Sequence, residues 1–116
     1  MKNKDKLFSE LTDEEINKKI IKELNGNNGP FHEFLHDAEA IQTAQNYLIK
    51  ISIPIHSSPQ PDRLFQYKLA EIVSGKNLWE KGKFIGGIWD VYAIAFATNR
   101  QRAEAFLWAM EYFNKE

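Results

Sequence analysis

The sequence predicts a small α+β domain, a two- or three-stranded sheet packed by about four helices. Three observations carry that expectation. Residues 88–97 form an apolar run interrupted only by Asp90, which suits a strand covered on both faces. Residues 49–55 alternate isoleucine with Lys50, Ser52 and Pro54, the period of a half-buried strand. Elsewhere apolar residues recur at three and four, the stripe of an amphipathic helix. The alternative is an all-α bundle in which residues 88–113 are helical throughout, since alanine is the best helix former.

Taken in order, residues 1–11 read as a flexible tail ahead of a single domain spanning 1–116. Thr12-Asp13-Glu14-Glu15 is a capping-box pattern, and Ile16, Ile20, Ile21 and Leu24 follow on one face up to a Gly26 stop. Pro30 suits the first turn of a second helix carrying Phe31, Phe34, Leu35, Ala38, Ile41 and Leu48. Pro54 ends the isoleucine strand or keeps it at an edge. Asp62 opens a third helix with Leu64, Phe65, Leu69, Ile72 and Val73 inward, and Gly75 stops it. Lys81-Gly82 turns a short hairpin between Trp79 and Phe84, and Gly86-Gly87 marks a bend before the central strand. Thr98 and Asn99 then cap a last helix with Ala103, Phe106, Leu107, Met110 and Phe113 inward. Nine of the fifteen aromatic residues fall between Trp79 and Phe113, so the core is expected to form there.

A chain of 116 residues is long enough to bury a core without staples. Its net charge of −1 gives no electrostatic case for nucleic acid or an anionic membrane. With no cysteine, disulfide and thiolate chemistry are excluded and the cytoplasm is the expected compartment. The first residues carry no apolar stretch of the signal-peptide kind, and no apolar run approaches the ~20 residues of a membrane helix.

One string carries sharp chemistry: His32-Glu33-Phe34-Leu35-His36. On a helix the two histidines stand one turn apart and both reach one Zn²⁺, with Glu33 beside the metal-bound water as general base. A third ligand is needed, and His56, Glu39 and Glu71 are the candidates. The five residues resemble the zinc metallopeptidase signature, and the resemblance implies a small zinc-dependent metallohydrolase. The structural alternative makes His32 and His36 surface residues beside Phe31, Phe34 and Leu35.

Three further features stand out. Asp90 is the only charge in its apolar run, and a buried carboxylate needs a partner such as Arg100, Arg102 or His56. The turn Thr98-Asn99-Arg100-Gln101-Arg102 offers helix N–H groups and two cations to an anion, although no glycine-rich loop accompanies it. The aromatic excess singles out Trp79, Trp89, Trp108 and Tyr112 as an interaction surface, because such rings are enriched at interfaces.

The functional expectation is a non-catalytic module that binds or inhibits a protein partner, or self-associates through its aromatic-rich face, without a cofactor. The metallohydrolase with zinc is the alternative. A nucleic-acid role through Lys76, Lys81, Lys83, Arg100 and Arg102 ranks third.

Overall fold

Long amphipathic helices make most of the fold. The computed structural model describes residues 8–54, 60–81 and 83–115. Helices α1 (Asp13–Leu24), α2 (Ala38–Ser52), α3 (Pro61–Ser74) and α5 (Asn99–Lys115) surround one core, and a hairpin of β1 (Trp79–Glu80) and β2 (Lys83–Phe84) leads into a short helix, α4 (Ile88–Tyr92). A 3-10 turn, Phe8–Glu10, precedes α1, and another, Ala93–Phe96, extends α4. Among the described residues no helix is long and apolar enough to cross a membrane.

Caps, some of them read from sequence, mark where several of these helices start and stop. Thr12 Oγ1 accepts the Glu15 N–H and Glu15 reaches back to the Thr12 N–H, a reciprocal pair that satisfies two free donors of α1. Asn25 is the left-handed residue that ends α1, with φ 48°, and Gly26 follows it at φ 89°. Gly75 closes α3 in the same conformation, with φ 73°. Thr98 and Gln101 form a second reciprocal box at the start of α5.

The core lies against α5, which packs on α1, α2 and α3. Ala103, Ala105, Phe106, Leu107, Ala109 and Met110 of α5 are buried, as are Ile16, Ile20 and Leu24 of α1 and Leu64 and Leu69 of α3. The alanines let neighbouring helices approach closely, and the large side chains fill the space between them.

Most of both expected strands is helical, although Ile53 and Pro54 form a turn, Ile55 lies outside the described residues, and extended Ala97 breaks the single helix over 88–113 that the bundle alternative expected. Residues 88–96 run as α4 and its 3-10 extension. Among the described residues of 88–97, none has a ladder partner, and Ile94 and Ala97 pack on the core. The alanines then favour helix. Residues 49–52 belong to α2, whose stripe Ala40, Ala44, Leu48 and Ser52 is buried at four-residue spacing. Ser52 fixes that end: its hydroxyl donates to the Leu48 carbonyl at 2.7 Å and accepts the Asp62 N–H at 3.1 Å. The hairpin is as expected, with Trp79 opposite Phe84. The Phe84 ring stacks on Tyr67 of α3 at 4.3 Å. A Cβ on Gly86 would stand 2.5 Å from that ring, so a larger residue there would have to displace it. The mostly helical result agrees with the bundle alternative more than with a sheet-based domain.

The second helix begins later than Pro30 implies. Residues 31–37 are a loop, and α2 starts at Ala38 with Asp37 as its cap, accepting the Glu39 N–H at 2.9 Å. Residues 8–11 also differ from a flexible tail. Leu11 is buried, and the Arg100 guanidinium donates to the carbonyls of Phe8 at 3.1 Å and Leu11 at 2.5 Å.

Candidate functional site

The loop position of His32-Glu33-Phe34-Leu35-His36 removes the geometry that a helix would give its histidines. Phe34 is fully buried and anchors the loop. Asn17 of α1 grips it from both sides, donating to the His32 carbonyl at 2.6 Å and accepting the Phe34 N–H at 2.8 Å. Asn99 Nδ2 holds the Leu35 carbonyl at 3.3 Å. His32, Glu33 and His36 are left exposed. Glu71 is engaged elsewhere, by Lys68 at 2.8 Å and by the Leu78 N–H at 2.9 Å. Among the described residues no three His, Cys, Asp or Glu side chains gather as a metal site, and His56 lies outside the described residues. The one-turn spacing that made the string suggestive therefore does not apply.

Asp90 meets neither arginine. It accepts the Gly87 N–H at 2.8 Å and pairs with Lys76 at 3.2 Å. Gly87 precedes α4, so Asp90 is the third-residue half of a helix cap. The Gly87 N–H, then the Lys76 ammonium, hold its carboxyl below the ordinary aspartate value.

The two arginines in the first turn of α5 are structural in their contacts. Arg100 binds Glu104 at 2.6 Å and Asp13 at 2.5 Å as well as the two carbonyls of residues 8–11. Burial opposes its charge, but the bonds to Glu104 and Asp13 outweigh that and raise its pKa. Arg102 donates to the Ile94 carbonyl at 3.0 Å and lies 3.4 Å from Gln45 Oε1, so it ties α4's extension to the bundle.

The expected aromatic surface is only partly assembled. Tyr112 is 40% exposed. Trp108 is half-buried, with Tyr112 at 5.5 Å and the Lys68 ammonium 5.2 Å above its ring. The side chains of Trp79 and Trp89 lie outside the described residues.

A different apolar face is prominent. Ile88, Tyr92 and Phe96 follow at four-residue spacing along α4 and its extension, exposed by 60%, 58% and 84%. Ile85 precedes them, and Ile49 and Ile53 stand on the outer side of α2. Ile49 also lines a cavity of about 280 Å³ with Leu48, Phe65, Leu69 and Ile94, and with Gln45, Asp62, Gln66 and Arg102 as its polar residues. One carboxylate oxygen of Asp62 is buried without a hydrogen bond. Sequence reasoning missed this face because it assigned the same residues to a strand; the spacing 88, 92, 96 was the available signal.

No protein-family model, curated protein or solved structure matches the chain.

Proposed function

We propose that this chain is a non-catalytic protein-interaction module whose binding face is formed by Ile88, Tyr92 and Phe96. The observation that supports it is the 84% exposure of Phe96 at the end of an uncharged stripe. An isolated exposed side chain needs no explanation, but several large ones together mark interaction surfaces. The single acid in the segment, Asp90, caps α4 and pairs with Lys76, so its charge is already partnered. Tyr92 and Phe96 are residue types enriched in interface cores.

The test is a photo-crosslinking residue placed at position 96 in the expressing cell. Irradiation should give a discrete protein adduct, absent when the same probe replaces the solvated Lys18. If position 96 gives no more adduct than position 18, the interaction reading fails.

A further inference from the structure

We propose that the cavity framed by α2, α3, Arg102 of α5 and Ile94 binds a small zwitterion with an apolar side chain, an α-amino acid of the leucine or phenylalanine class. The site is separate from the stripe of Ile88, Tyr92 and Phe96 and does not rest on the interaction reading. Its apolar walls come from Leu48 and Ile49 of α2, Phe65 and Leu69 of α3, and Ile94. Its volume is about 280 Å³, whereas ~150 Å³ holds benzene and sites for drug-sized ligands run from ~300 to 1,000 Å³. The space therefore suits one branched or aromatic side chain with a few polar atoms, and nothing much larger.

Two opposite charges specify the polar end. Asp62 and Arg102 line the same cavity but are not paired with each other. One carboxylate oxygen of Asp62 is buried without a hydrogen bond, a costly state for a charged acceptor that an ammonium group would relieve. Arg102 donates to the Ile94 carbonyl at 3.0 Å and to Gln45 Oε1 at 3.4 Å. Those bonds use two of the five N–H donors of a guanidinium, and the rest match a carboxylate. A lone cation would meet repulsion from Arg102 and a lone anion repulsion from Asp62, so the pair selects a ligand that carries both charges. The backbone behind each group is held before a ligand arrives. The Asp62 N–H bonds to Ser52 Oγ at 3.1 Å, and Arg102 lies within α5.

An NMR titration of the ¹⁵N-labelled full chain with L-leucine and L-phenylalanine tests this. Saturable shifts should concentrate at the amides of Ile49, Phe65, Leu69, Ile94 and Arg102. Isocaproate, which is leucine without its ammonium, and isopentylamine, which lacks the carboxylate, should each bind weaker by about tenfold or more, the loss of one charge-assisted bond. Asp62→Asn should weaken leucine by a similar factor while leaving isocaproate no weaker than in the wild type, a split that a general loosening of the fold does not produce. The amide spectrum of the variant checks its folding, and the analogue series in the wild type decides the matter if the variant does not fold. No saturable shift with either amino acid at millimolar concentration overturns the proposal, as do saturable shifts confined to other surfaces. Isocaproate or isopentylamine binding as tightly as leucine also overturns it, because the cavity would then read an apolar group or a single charge. None of these outcomes bears on the crosslink at position 96.

Discussion

Phe96 and Phe106 sit close together in the chain and in opposite surroundings, the first 84% exposed and the second fully buried. The segments that carry them differ less in composition than in periodicity and partners. Around Phe106, apolar residues recur on α5 with α1, α2 and α3 packed against them. Around Phe96, an even richer apolar run is held to the bundle by Ile94 and Ala97 and by the Arg102 bond to the Ile94 carbonyl. Hydrophobic content alone does not decide burial. The difference between a core and a binding face is whether a neighbouring element in the same chain covers it.

The largest expected effects break this comparison directly. Phe106→Ala should cost ~3–5 kcal/mol in urea unfolding, because it leaves a cavity in a closed core. Phe96→Ala should change stability by less than ~0.5 kcal/mol. Equal losses at the two positions would mean that residues 88–96 belong to the core.

Arg100→Ala comes next. It removes the guanidinium that joins α5 to residues 8–11 and leaves Glu104 without that partner. Charge-assisted bonds of this kind are worth about 1.5–3 kcal/mol, so a loss of ~2 kcal/mol is expected. Faster hydrogen exchange should appear at the Leu11 amide, which bonds to the Phe8 carbonyl. Destabilisation with Leu11 still protected would show that Arg100 acts only within α5.

Asn17→Ala should cost ~1–2 kcal/mol by removing two bonds to the 32–34 loop and leaving the Phe34 N–H without its acceptor. The sharpening measurement is exchange at Phe34: a selective increase there supports the loop anchor, whereas uniform loss across α1 points to helix propensity instead.

Much of the helical part was legible in sequence because local chemistry and tertiary packing agree there. Thr12, Glu15 and Thr98 carry their caps wherever α1 and α5 are placed, and Gly75 stops α3 by tolerating a left-handed backbone. Agreement failed where two periods overlap. The four isoleucines from 49 to 55 satisfy a strand pattern, yet Ala44, Leu48 and Ser52 satisfy a helical one, and only packing against α3 and α5 selects between them. The His32–His36 string failed for another reason. Its spacing is meaningful only on a helix, and Asp37 starts the helix immediately after it. Asp90 was recognised as unusual, but its partners, Gly87 and Lys76, are a local cap and a loop cation instead of the arginines of α5.

Asp90 gives the smallest effect and the finest division between the two regions. Its folded pKa is lowered, first by the Gly87 N–H and then by Lys76. The stabilisation is therefore full above the unfolded aspartate value of ~3.9 and is lost as pH falls through the lower folded value. The Gly87 amide resonance should titrate with Asp90 and show a midpoint below ~3.9. Asp90→Asn should abolish that titration and speed exchange in residues 88–96 at neutral pH, while the amides of α1 and α5 keep their protection. If acid or the substitution opens α5 together with α4, the two regions fold as one unit, and the apolar stripe owes its exposure to something other than a locally capped helix at the edge of the core.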